Sequence, residues 1–103
     1  MWVRASSYAL PVTDLDRAIE KFNQGVDAFL QQPGLRRIEV FVNRDNGAAM
    51  TVTLWASKEA MDASAEYAEH LREDVVLEVI GWTQRVNEYE LVRTEELQVN
   101  MGT

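Results

Sequence analysis

The chain reads as an α+β domain of order strand, helix, strand, strand, helix, strand, with four antiparallel strands in one sheet and both helices on one of its faces. Three observations predict this. Leu15, Ala18, Ile19, Phe22, Val26, Phe29 and Leu30 fall at i, i+3, i+4, i+7, i+11, i+14 and i+15, a single apolar stripe at helical period. Asn46-Gly47 stands between two alternating segments, a hairpin signal because such a turn needs positive φ. Met50 to Trp55 alternates with the two-residue period of a strand and turns at once into a capped helix at Ser57.

Each element follows from local chemistry. Trp2 to Leu10 is rich in β-compatible and small residues and stops at Pro11, giving a first strand and a short loop. Thr13 or Asp14 caps the first helix, which the stripe carries to Gln32, where Pro33-Gly34 ends it. Gly25 weakens its middle by roughly 1 kcal/mol relative to alanine and points to a close neighbour there. Leu35 to Arg44 is the second strand, with Ile38, Val40 and Val42 on one face and Arg37, Glu39 and Phe41 on the other. In the third strand Met50, Val52 and Leu54 point one way and Thr51, Thr53 and Trp55 the other. The second helix starts at Lys58, places Glu59 in its first turn where the dipole favours negative charge, and sends Ala60, Ser64, Tyr67, Leu71 and Val75 toward the core. Val75 to Ile80 has β character, but helix continuing to Gly81 is the preferred reading. Arg85 to Arg93 forms the last strand, so the domain spans 2–93 and 94–103 is a polar tail.

At 103 residues there is room for one domain burying about two thirds of its unfolded surface. The apolar runs are too short to cross a bilayer, and the first residues lack a basic region followed by an apolar core, so cytoplasmic residence is expected and no membrane partner. No cysteine is present, which excludes disulfides, thiolate nucleophiles and Cys-ligated metals. A net charge of −7 repels a phosphate backbone, so nucleic acid is excluded as a partner. No Ser-His-Asp set, phosphate loop or dinucleotide fingerprint occurs. A sheet covered on one side leaves apolar groups bare on the other, and the economical cover is a second copy of the chain.

Pro33-Gly34-Leu35, the hairpin, Leu54-Trp55-Ala56-Ser57-Lys58-Glu59-Ala60 with its Trp-x-Ser-x-Glu-Ala pattern, and Glu88-Tyr89-Glu90-Leu91-Val92 together resemble the antibiotic-biosynthesis-monooxygenase-like proteins of the dimeric α+β barrel superfamily. The resemblance covers residues 2–93. It implies a ferredoxin-like fold, a homodimer joined through the open sheet face, and one pocket per subunit between sheet and helices. It also implies that an aromatic or polyketide-like molecule reacts there with oxygen and that no cofactor takes part. Trp55 carries over as pocket wall and indole donor. Three departures stand out: Thr51 replaces an asparagine that some monooxygenase members place four residues before the tryptophan, no asparagine lies between Trp2 and Leu10 as in haem-degrading members, and Ser64 stands near where many relatives carry a histidine.

The candidate catalytic residues are accordingly His70, Trp55 and Tyr67, with Tyr8, Phe22, Thr51, Trp55 and Ser64 binding the ligand and no metal site. His70 is the only side chain whose ordinary pKa lies near neutrality, which suits a general base; the plainer role is a boundary histidine with one hydrogen bond. Trp55 is either a ligand wall or core, and Tyr8, Tyr67 and Tyr89 either present hydroxyls to a phenolic ligand or pack with a wet tip. Glu66, His70, Glu73 and Asp74 have helical spacing, read as a solvated acidic face rather than a cation site. Arg36 and Arg37 guard a strand edge or draw in an anion, and Met50 and Met61 flank the Trp55 run. Three functions stay open: a cofactor-independent monooxygenase, a non-catalytic homodimeric ligand-binding module and, more distantly, haem breakdown.

Overall fold

The computed structural model describes residues 1–98, and the last five residues of the expected tail lie outside them. The expected order holds, with one helix in two pieces: β1 (Trp2–Ala9), α1 (Leu15–Phe29), β2 (Leu35–Val42), β3 (Ala48–Trp55), α2 (Lys58–Ala63), α3 (Ala65–Val79) and β4 (Trp82–Glu90). The strands pair antiparallel in the order β2-β3-β1-β4, a ferredoxin-like sheet with the helices on one face.

Side-chain alternation sorts the two faces. Arg4, Ser6 and Tyr8 of β1 lie beside Thr53, Thr51 and Ala49 of β3 in register and are buried under the helices. The opposite face carries Val3 opposite both Leu54 and Tyr89, Ala5 opposite Val52, and Ser7 and Phe41 opposite Met50. No element among the described residues covers that face, and Phe41 and Tyr89 are exposed on it.

Under the helices the core divides. One cluster gathers Tyr8, Leu10, Leu15, Ala18, Phe22, Ala49, Val75 and Val79; the other gathers Phe29, Trp55, Met61 and Ala68, with Trp2, Leu35, Ile38 and Leu71 against it. Leu15, Ala18, Phe22 and Phe29 of the predicted stripe are buried, whereas Leu30 is exposed because α1 stops one residue before it. The helix does not reach Gln32. Gln32 precedes a proline, which disfavours helical backbone, and the chain turns there through Gln32 N–H to Phe29 C=O (3.0 Å) and Leu35 N–H to Gln32 C=O (3.2 Å).

The hairpin joins β2 and β3 as expected, but β2 ends at Val42 rather than Arg44. Asn43 begins the turn: its side chain accepts from Asp45 N–H (2.9 Å) and its carbonyl from Gly47 N–H (3.0 Å). Only Gly47 has positive φ here (78°), and a Cβ there would meet the Leu10 carbonyl oxygen at 1.9 Å, so both conformation and space require glycine.

The second helix begins at a working cap, with Ser57 Oγ accepting from Ala60 N–H (3.1 Å). It breaks at Ser64. The Met61 carbonyl, which an unbroken helix would give to residue 65, instead accepts from Ser64 Oγ (2.7 Å) and from Arg4 Nη2 (2.7 Å). Helix does continue through Val75–Val79, as preferred. At its end Ile80 occupies the left-handed region (φ 55°, ψ 46°), a conformation costly for a β-branched residue, while 87% of its surface is exposed. That reversal delivers Trp82 directly opposite Ala9, so β4 runs from Trp82 to Glu90 rather than from Arg85 to Arg93.

Candidate functional site

Between the two core clusters a cleft opens under the helices, with about 500 Å³ of non-atom space including its mouth. Three strands and two helices line it. From the sheet come Arg4, Ser6 and Tyr8 of β1, Thr51 and Thr53 of β3, and Ile38 of β2. Phe22, Gly25, Val26 and Phe29 come from α1, and Ala68, Leu71, Arg72 and Val75 from α3, each set at i, i+3, i+4 and i+7. Apolar walls with a few convergent polar groups are the usual chemistry of small-molecule sites.

Gly25 helps to open this space. A Cβ added there would meet nothing within 4 Å, so the close neighbour expected from the sequence is absent and the residue faces open cleft.

Two polar groupings face inward. Tyr8 is buried, meets Phe22 edge-on (ring centroids 5.2 Å apart, 70° between planes), and its hydroxyl lies 3.2 Å from Thr51 Oγ1. Burial holds the Tyr8 phenol above its ordinary range; the hydrogen bonds of Thr51 and Ser6 and the charge of Arg72 pull it part of the way back. The phenol is therefore neutral at physiological pH, able to donate or accept. Arg4, only 4% exposed, anchors the other grouping: Nη1 donates to Ser64 Oγ (3.2 Å), Nη2 to the Met61 carbonyl (2.7 Å) and to Glu88 Oε2 (3.4 Å), and the guanidinium lies 5.9 Å from the Trp55 ring centre. Burial lowers the Arg4 pKa and Glu88 opposes that, leaving a held cation at neutral pH.

The sequence candidates divide accordingly. Tyr8, Phe22 and Thr51 line the cleft together. Ser64 is buried beside it and acts through Arg4. Trp55 is fully buried outside the lining, with its indole N–H already given to Thr53 Oγ1 (2.9 Å) and Phe29 packed edge-on between it and the cleft (5.6 Å, 90°). Tyr67 stacks on Phe29 (5.8 Å, 2°) with 38% of its surface exposed, also outside the lining. His70 is exposed and outside it as well. The three side chains expected to do chemistry thus do not meet, because the helix turn that sends Ala68 and Leu71 inward sends His70 outward.

Sequence reasoning missed Arg4 and Arg72. The available signals were parity with Ser6 and Tyr8 on β1 for Arg4, and helical spacing with Ala68, Leu71 and Val75 for Arg72. No group of three or more His, Asp or Glu side chains among the described residues gathers to hold a metal ion, and no helix among them is long and apolar enough to cross a membrane.

A family model described as antibiotic biosynthesis monooxygenase matches residues 11–73. No curated protein matches the chain in sequence. Among solved structures, a Deinococcus radiodurans protein assigned to the same monooxygenases superposes with a TM-score of 0.77 at 12% identity, covering 96% of this chain and 100% of the other. A variant of SnoaB, a cofactor-independent oxygenase from Streptomyces nogalater, gives 0.70 at 11% identity over 90% and 94%. MhuD, a haem degrader from Mycobacterium tuberculosis, gives 0.73 at 18% identity over 93% and 100%. Such identities establish shared fold.

Proposed function

Because the chain belongs to the antibiotic biosynthesis monooxygenase family, we propose that it is a cofactor-independent monooxygenase-like protein that takes an aromatic or polyketide-like molecule into the cleft. The observation that carries this reading is the cleft itself: aromatic and aliphatic walls around the Tyr8–Thr51 hydroxyl pair and the buried Arg4 cation. A flat ring slides between Phe22, Phe29 and Leu71 while a phenol or enol oxygen meets the hydroxyls. The fixed positive charge stabilises the anion that forms when the adjacent C–H or O–H ionises, in a site where water screens little. That carbanion passes electron density to dioxygen and a C–O bond forms. The peroxide O–O bond then breaks with loss of water, so that a ring methylene and one dioxygen become a ring carbonyl and one water. Trp55 and Tyr67 support the ring of Phe29 rather than touch the reacting atoms.

The active unit in this reading is a homodimer in which the bare face with Val3, Val52, Leu54 and Met50 pairs with its twin. Sedimentation at micromolar concentration measures this, with a dimer expected.

One observation favours the non-catalytic ligand-binding alternative: no carboxylate or imidazole lines the cleft among the described residues, so the proton must leave to water at the mouth. Haem breakdown ranks behind both, since the one histidine, His70, is exposed away from the lining. Oxygen uptake with anthrone separates the readings. Tyr8→Phe is expected to slow it about tenfold, while His70→Ala leaves it unchanged; no uptake by the parent protein leaves the binding module, and a Soret shift on haem addition would restore the third reading.

A further inference from the structure

The two guanidiniums in the cleft are not equivalent. Arg4 is occupied by Ser64, the Met61 carbonyl and Glu88. Arg72 has no hydrogen-bond or ion-pair partner among the described residues, is half-buried, and lines the same cleft. It shares the cleft lining with both Arg4 and Tyr8. The lining contains two cations and no carboxylate, although the chain as a whole carries −7. Along α3, Glu69, Glu73 and Asp74 are exposed and none pairs with Arg72, and Glu88 is paired with Arg4.

A half-buried guanidinium without a partner, in a cleft with otherwise largely apolar walls, is free to take its counter-charge from a ligand. We propose that the ligand supplies it: the cleft takes a flat aromatic or polycyclic carboxylic acid, whose carboxylate pairs with Arg72 while its rings occupy the apolar space facing Gly25. The inference rests on the reading above for the identity of the cleft and narrows its substrate class. It divides the work of the two cations, with Arg4 facing the charge that develops during reaction and Arg72 holding the charge the ligand brings. The planar fork of arginine matches a carboxylate in two parallel hydrogen bonds, which an amide of the same shape does not reproduce.

Anaerobic titration with 2-naphthoate and with its neutral isostere 2-naphthamide, followed by calorimetry, tests this without requiring turnover. The carboxylate is expected to bind on the order of tenfold more tightly than the amide, with the preference shrinking as salt is raised. Arg72→Gln should erase the preference while leaving amide affinity and melting temperature unchanged, and Arg72→Lys should keep part of it. Equal affinities for the two probes in the parent protein overturn the proposal. So does a preference that survives in Arg72→Gln, or failure of both probes to bind up to millimolar concentration. Because oxygen is absent, a carboxylate preference in a protein that never consumes oxygen with anthrone would sink the monooxygenase reading and leave this one standing.

Discussion

The two ends of the helix-covered face use similar residues to opposite effect. At the Trp55 end, Phe29, Met61 and Ala68 close around an indole whose N–H is given to Thr53, and Arg4 ties Ser64 and the Met61 carbonyl to β1 and Glu88 on β4. At the Tyr8 end, the space facing Gly25 stays open, and Arg72 lines it with no partner of its own among the described residues. The first end is finished as a core; the second has capacity left over. Binding sites arise where polar groups have partners still to find, and here a glycine in the middle of a helix makes the room.

The contrast is breakable by substitution. Trp55→Ala should have the largest effect, destabilising the fold by about 3–5 kcal/mol through loss of a fully buried aromatic side chain, read by urea denaturation. Trp55→Phe, which deletes the N–H and leaves a smaller cavity where the indole's second ring stood, should cost about 1–2 kcal/mol and leave ligand affinity intact. If Trp55→Phe instead abolished binding with stability preserved, the closed end would belong to the site. Arg4→Met should come next, at about 2–3 kcal/mol, from the loss of buried charge-assisted hydrogen bonds to the Ser64 hydroxyl and the Met61 carbonyl, which keep only their bond to each other (2.7 Å). The Glu88 ion pair adds little to that figure because the carboxylate is 40% exposed.

Gly25→Ala should act in the reverse sense on the two properties. It should raise stability by about 0.5–1 kcal/mol, since it sits within a helix and its Cβ meets nothing, yet weaken binding by filling the cleft. A denaturation curve and a naphthoate titration on one variant measure both. The smallest effect concerns pH. Because the Tyr8 phenol is held above its usual value of 10.0, its contribution to stability is complete below that value and is lost as pH rises through the raised one. Tyr8→Phe should therefore flatten the alkaline limb of the stability profile while leaving neutral stability within about 1 kcal/mol.

Much of this molecule is legible in its residues alone, because period is a property of sequence. The stripe from Leu15 to Phe29, the alternation of Ile38, Val40 and Val42 against Thr51, Thr53 and Trp55, and the cap at Ser57 each act locally and survive folding. Tyr8, Phe22 and Thr51 are legible as lining for the same reason: they lie on the inward side of their elements. Arg4 and Arg72 are not, because a charged residue on an inward position reads as surface until its partners are known. The Met61 carbonyl that Arg4 takes comes from 57 residues away. Trp55 misleads in the other direction, since a conspicuous aromatic in a recognisable run carries no mark that its N–H is already spent. The element ends that differ from expectation, at Gln32, Arg44 and Arg85, are places where a single turn residue rather than a period decides.

The left-handed Ile80 has a practical meaning for mutagenesis of the cleft. Glycine at that position would relieve backbone strain worth about 1–2 kcal/mol, partly offset by the greater freedom glycine has in the unfolded chain. The net gain lies at a solvent-facing corner between α3 and β4, outside the cleft lining. Ile80→Gly is thus a partial suppressor background, which offsets some of the stability lost on changing Arg4 or Thr53 and helps to tell loss of binding apart from loss of structure.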